Sequence, residues 1–247
     1  MRQEKISIFM FMMLISIIQS IQLISTTHEA YPNWPIPFQL LISIPTESSM
    51  SFLIIWYIGF VTVSFFVKGS IKDNIEGYGK YILVRNYNKF KFILRSLSSV
   101  SLWVLGLTIF QFLIFYLVSI FINLKTPYFY WDNTLLGKAL PLYILTIICL
   151  VLLQIVLELY FSPVTALLVI NCYVTLSITS WSYLSFINKG NVIIYFGIPN
   201  YMMALRTDTF VKGGLGINQD IALLIIGLMI CIIPLMILRK IKKMDIY

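Results

Sequence analysis

Thr165, Cys172, Thr175, Thr179 and Ser182 recur at steps of 7, 3, 4 and 3, a spacing that puts small and polar side chains along one helical face. In an otherwise apolar stretch, such a stripe either lets another helix approach closely or lines a passage that holds water transiently. Asn171 lies one position off the stripe, and its amide needs a partner under either reading. A second grouping is cationic. The segment KGSIKDNIEGYGKYILVRNYNKFKFILR, residues 68–95, sets Leu83, Tyr87, Phe90 and Leu94 at steps of 4, 3 and 4, with Arg85, Lys89, Lys91 and Arg95 largely off that side. This is the pattern of a basic amphipathic helix, and its simplest use is to lie on anionic lipid.

Chemistry that would drive a reaction is missing from the sequence. The nearest approach to a phosphate-cradling GxxxxGK[ST] is Gly79–Lys80, where position 74 is Asn and position 81 is Tyr, so ATP hydrolysis by this chain is not expected. His28 is the lone histidine, and neither HExxH, GxSxG nor a paired-carboxylate spacing occurs in any apolar run, so no catalytic residue is assigned. Cys149, Cys172 and Cys231 all fall inside apolar runs, without the spacing of a metal site or a disulfide framework, and no metal is expected. The apolar runs also lack the ionisable residues that ion-coupled carriers keep at mid-membrane. Glu158 alone adjoins two of them, and it reads either as a solvated or capping carboxylate at a turn or as a gate.

The elements that must position these residues are long and apolar. Six runs, 6–27, 48–67, 96–124, 139–157, 159–188 and 221–238, contain no charged side chain. About 20 apolar residues cross the hydrocarbon layer as a helix, and lipid forces each run to satisfy its own backbone amides. Spans are therefore expected at 6–27, 48–67, 97–123, 139–157, 162–188 and 221–238, in an all-α polytopic membrane protein forming a single transmembrane domain. The mean hydropathy of +0.89 and a charged fraction of 11% agree, since soluble domains carry roughly 25%. The N-terminal run is read as a retained first helix, because it is long and no small-x-small cleavage pattern follows it.

Charge sets the expected orientation. Of the 18 Lys and Arg, thirteen fall on one side of the alternating spans and five on the other, which puts both termini and the 68–95 segment in the cytoplasm. The net charge of +8 is clustered at span ends, where it meets anionic headgroups, so lipid and not nucleic acid is the expected partner. Outside lie the loops 28–47, with Pro32, Pro35, Pro37 and Pro45, and 189–220, whose stretch NVIIYFGIPNYMMALR reads as one or two short helices broken near Gly197 and Pro199. Tyr128, Phe129, Tyr130, Trp131, Trp181 and Tyr183 read as interfacial anchors.

The pattern E-G-x-x-x-x-I-L after the second span, with a basic residue at the start of the third, resembles the permease subunits of type-2 ATP-binding cassette (ABC) exporters, as does the six-span layout with its short fourth-to-fifth turn. Glu76, Gly77, Leu83 and Arg95 carry the motif. The family's usual proline after the leucine pair is absent from 84–88, and MRQEKIS leaves no room for an amphipathic helix before the first span. The resemblance implies a cytoplasmic coupling helix that seats in a separate ATPase subunit, with Glu76, Gly77, Leu83, Arg85, Tyr87 and Phe90 as its contact residues. It further implies two nucleotide-binding partner chains, which would bind the ATP and magnesium, and a second permease copy or similar permease. The expected function is export of a hydrophobic or amphipathic peptide, lipid or drug across the cell membrane, including resistance to antimicrobial peptides. The alternative is a non-transporting immunity or assembly protein that binds partners through the same basic segment.

Overall fold

The computed structural model describes residues 2–27, 47–75, 88–123, 133–187, 192–203, 206–208 and 216–243. Nearly all are helical. In chain order the helices are α1 (Arg2–Thr27), α2 (Glu47–Val67), the short α3 (Ser70–Asn74), α4 (Lys89–Asn123), α5 (Asn133–Tyr160), α6 (Pro163–Ile187) and α7 (Gln219–Lys243). Two 3-10 helices, Val192–Phe196 and Ile198–Met202, separate α6 from α7. Among the described residues, Lys89–Ile114, Leu140–Tyr160, Pro163–Trp181 and Gln219–Ile241 are long and apolar enough to cross a membrane.

The helices overrun the charge-free runs. α4 begins at Lys89 and α7 ends at Lys243, because Lys and Arg are good helix formers whose stems lie along apolar surface while their charges reach water. Pro141 and Pro234 lie inside α5 and α7, where each removes one backbone donor.

α5 is the axis of the bundle. It packs against α2, α4, α6, α7 and the second 3-10 helix, and 61% of its apolar window is buried, against 22% for α7. Leu142, Cys149, Leu150 and Ile155 on α5 are fully enclosed. α1 packs on α2 and α4, helped by Phe9 against Phe110 at 4.9 Å between ring centres. The outside is apolar as well. Leu102, Trp103, Phe121 and Leu176 are each more than 60% exposed, an arrangement suited to acyl chains and costly in water.

The 3-10 helices close one end of the bundle. Every residue of Ile198–Met202 is buried against α5 and α6. Gly197 marks the break before it, because a Cβ there would run into the Asn200 amide nitrogen. Beyond, Asp208 N–H donates to the Ile217 carbonyl at 3.0 Å and Ile217 N–H to the Arg206 carbonyl at 2.8 Å. That clasp requires Gly216, whose Cβ would fall 2.6 Å from the Asp208 nitrogen.

Candidate functional site

Where α5 turns into α6, polar side chains from three helices meet. The turn is built locally: Phe161 N–H still bonds the Leu157 carbonyl at 2.8 Å. Ser162 then caps α6, its Oγ accepting Thr165 N–H at 3.1 Å, and Pro163 takes the first helical position, where its missing N–H costs nothing. Directly before the turn, Glu158 is 1% exposed. Its Oε2 accepts Gly69 N–H at 3.0 Å and its Oε1 accepts Gln154 Nε2 at 3.1 Å. The carboxylate, expected as a solvated or capping group at this turn, is instead buried against the end of α2, and Ser162 caps the turn.

Gly69 makes that approach possible. It has φ 73°, a left-handed conformation that ends α2 and turns the chain into α3, and only glycine adopts it without strain. Gln154 extends the junction to α2, donating to the Ser64 carbonyl at 3.0 Å and accepting the Ser64 hydroxyl at 2.5 Å. Asn171 of α6 joins through Nδ2, which bonds the Leu167 carbonyl at 2.7 Å and reaches Ser64 Oγ at 3.4 Å, while its buried Oδ1 has no partner among the described residues. Nearby, Lys240 of α7 lies over the Tyr160 ring at 4.5 Å.

The stripe on α6 behaves differently. Thr165, Cys172, Thr175 and Thr179 do share one face, and that face is exposed, while Ala166, Ile170, Asn171, Val174 and Ile178 turn into the bundle. The Thr175 hydroxyl bonds the Asn171 carbonyl at 2.9 Å and that of Thr179 the Thr175 carbonyl at 3.0 Å. These hydroxyls are satisfied by their own helix. Thr165 belongs to the cap, its Oγ1 2.7 Å from Ser162 Oγ. Ser182 lies on α6, and its side chain is outside the described residues.

A third polar cluster, which sequence reasoning missed, sits toward the far end of α6. Arg206 is 5% exposed. Its Nη1 donates to Asn200 Oδ1 and, at 3.4 Å, to the Ile178 carbonyl, and its guanidinium lies 5.3 Å from the Trp181 ring centre. Burial pushes this guanidinium down to about 9, so it remains a cation at neutral pH. Asn200 Nδ2 in turn bonds the Ser177 carbonyl at 3.1 Å. Trp181, expected as an interfacial anchor, is therefore also the platform for a buried cation. The one advance sign was Arg206 directly following the apolar NYMMAL.

Of the residues expected to contact an ATPase, Glu76, Gly77, Leu83, Arg85 and Tyr87 lie outside the described residues. Phe90 sits in the first turn of α4 and is 43% exposed, as is Leu94 at 45%, whereas Ile93 and Leu97 are buried. The inward face of α4 is thus set by residues 93, 97, 100, 104 and 107, because residues 89–95 are continuous with the long helix. Asn88 caps it, its Oδ1 accepting Phe90 N–H at 3.1 Å. No group of residues that could hold a metal occurs among those described.

A family profile described as "Protein of unknown function (DUF2705)" matches residues 7–247. The chain belongs to that family. A curated relative of this DUF2705 chain is the "Uncharacterized protein YybK" of Bacillus subtilis (strain 168), 30% identical over 228 residues that cover 87% of this chain and 89% of YybK. No solved structure matches it.

Proposed function

We propose that this DUF2705 chain is the membrane subunit of an ABC-type exporter, driven by ATP hydrolysed on separate nucleotide-binding chains. In this reading six spans, the four long apolar helices together with α1 and α2, cross the membrane with both termini inside. A relative in Bacillus subtilis fits a bacterial cytoplasmic membrane. Residues 68–95 form the cytoplasmic coupling segment, and Glu76, Gly77, Leu83, Arg85, Tyr87 and Phe90 meet the ATPase.

The observation that carries the reading is the hydrogen bond from Gly69 to Glu158. It ties the first turn of the 68–95 segment to the buried end of α5, and Ile71, Ile75 and Ile93, all under 5% exposed, anchor both flanks of that segment in the bundle. A displacement of the segment would therefore reach α5 directly, and α6 through Gln154, Ser64 and Asn171. The stripe of Thr165, Cys172, Thr175 and Thr179 faces outward, so a passage lined by it requires a second permease chain against α6. The cargo class, a hydrophobic or amphipathic peptide, lipid or drug, follows from the resemblance and the apolar helices.

The test is purification of the full chain from native membranes with its partners. Recovery of a nucleotide-binding protein, lost on Glu76→Ala with Leu83→Ala, and ATPase stimulation abolished by the same pair, are expected. An ATPase that never copurifies, with the chain still conferring protection on cells, would favour the immunity or assembly protein. Mapping of residues 76–87 to the outside of the cell would end the exporter reading. At the stripe, Thr175→Trp is expected to reduce export while the assembly is recovered intact, and unchanged transport with impaired dimer recovery would make the stripe a packing face only.

A further inference from the structure

Between α2, α4 and α5, with Met202 at one end, lies a cavity of about 20 Å³ whose wall includes Gly59, Thr108, Gln111 and Tyr143. A water molecule needs roughly 10–15 Å³ and two to four polar partners. The space therefore admits one water and not a second.

The lining is suited to it. Tyr143 is 5% exposed, and its hydroxyl makes no hydrogen bond to any described residue. Gln111 is 8% exposed; its Nε2 donates to Gln19 Oε1 at 3.0 Å, which leaves its own carbonyl oxygen free to accept. Thr108 is 2% exposed and donates its hydroxyl proton to the Val104 carbonyl at 2.9 Å, so the oxygen's lone pairs are available. One donor and two acceptors thus border a hole of one water's size. Gly59 lines the same hole, and a Cβ there would meet Gln19 Nε2 at 2.9 Å.

We infer that this cavity binds one resident water, which accepts the Tyr143 hydroxyl and donates to Gln111 Oε1 and Thr108 Oγ1, bridging α4 and α5 inside the bundle. An apolar cavity of this size would stay dry; polar groups with unused hydrogen-bonding capacity make hydration favourable. A water bridge also tolerates small changes in helix spacing that a direct side-chain bond does not. The inference is independent of the exporter reading.

Radiolytic hydroxyl labelling of the purified full chain, read by mass spectrometry, tests it, because a bound water generates radicals beside side chains that bulk solvent does not reach. Tyr143, 5% exposed, is expected to be oxidised several-fold faster than Tyr201, which is 1% exposed and bonded to the Tyr195 carbonyl. In parallel, Tyr143→Phe is expected to leave the Tm unchanged or lower it. Labelling of Tyr143 no faster than that of Tyr201, or a Tm raised by Tyr143→Phe, as relief of a dry, unpaired hydroxyl would produce, overturns the site.

Discussion

The two faces of α6 use polar residues in opposite ways. Asn171 points into the bundle and its amide reaches Ser64 on another helix. Thr175, one turn on, points outward and bonds the Asn171 carbonyl. The inner junction of Ser64, Gln154, Glu158 and Asn171 therefore holds helices together, whereas the Thr175 and Thr179 hydroxyls of the outer stripe bond carbonyls of their own helix. In lipid an exposed hydroxyl must find a partner within its own helix, and the i−4 carbonyl is always there. The inward Asn171 amide also bonds its i−4 carbonyl, that of Leu167 at 2.7 Å, but it reaches across to Ser64 as well. The difference teaches that polarity inside an apolar helix gains its meaning from the direction in which it points.

The sharpest way to break this comparison is at Glu158. Glu158→Leu removes the acceptor of the Gly69 N–H and one of the two acceptors of the Gln154 amide, and a loss of about 2–4 kcal/mol is expected from the two donors so stranded. Thermal unfolding in detergent checks it, and an unchanged Tm would mean the junction does not hold α2 to α5. Gly69→Ala comes next, at about 1–2 kcal/mol, the cost of a side chain in the left-handed region. Its effect should appear both in the Tm and in faster proteolysis beyond residue 75. Asn171→Leu should cost under about 1 kcal/mol, since its Oδ1 already lacks a partner among the described residues and Ser64 keeps Gln154. Smallest of all, Thr175→Val and Thr179→Val should each shift stability by no more than about 0.5 kcal/mol, the usual range for exposed positions. Equal losses at the stripe and the junction would erase the distinction between the two faces.

Much of this was legible in the chain itself. The stripe's spacing put four of its members on one face, the break at Gly197 divides two short helices, and the turn between Glu158 and Pro163 is as short as the sequence implied. Glu158 was legible as a carboxylate at a turn between two helices, but its burial was not, since that depends on Gly69, 89 residues earlier, folding back to it. The Ser162 cap was readable from Ser-Pro-x-Thr, a serine followed by a proline at the first helical position. The Arg206 cluster was not, because Asn200, Ile178 and Trp181 come together only when the 3-10 helices seat on α6.

Sequence alone determined that this is a helical protein with lengths and hydropathy suited to membrane crossing, since backbone amides in lipid leave little alternative. It also determined where cations concentrate. The tertiary structure decided which face of each helix is inside. A helix bordered by both protein and lipid is apolar all round, so its sequence carries little of the periodicity that marks the buried side of a soluble helix. Only the neighbours of α5 and α6 assign Asn171 inward and Thr175 outward, enclose Glu158, and leave beside Tyr143 a hole of one water's volume.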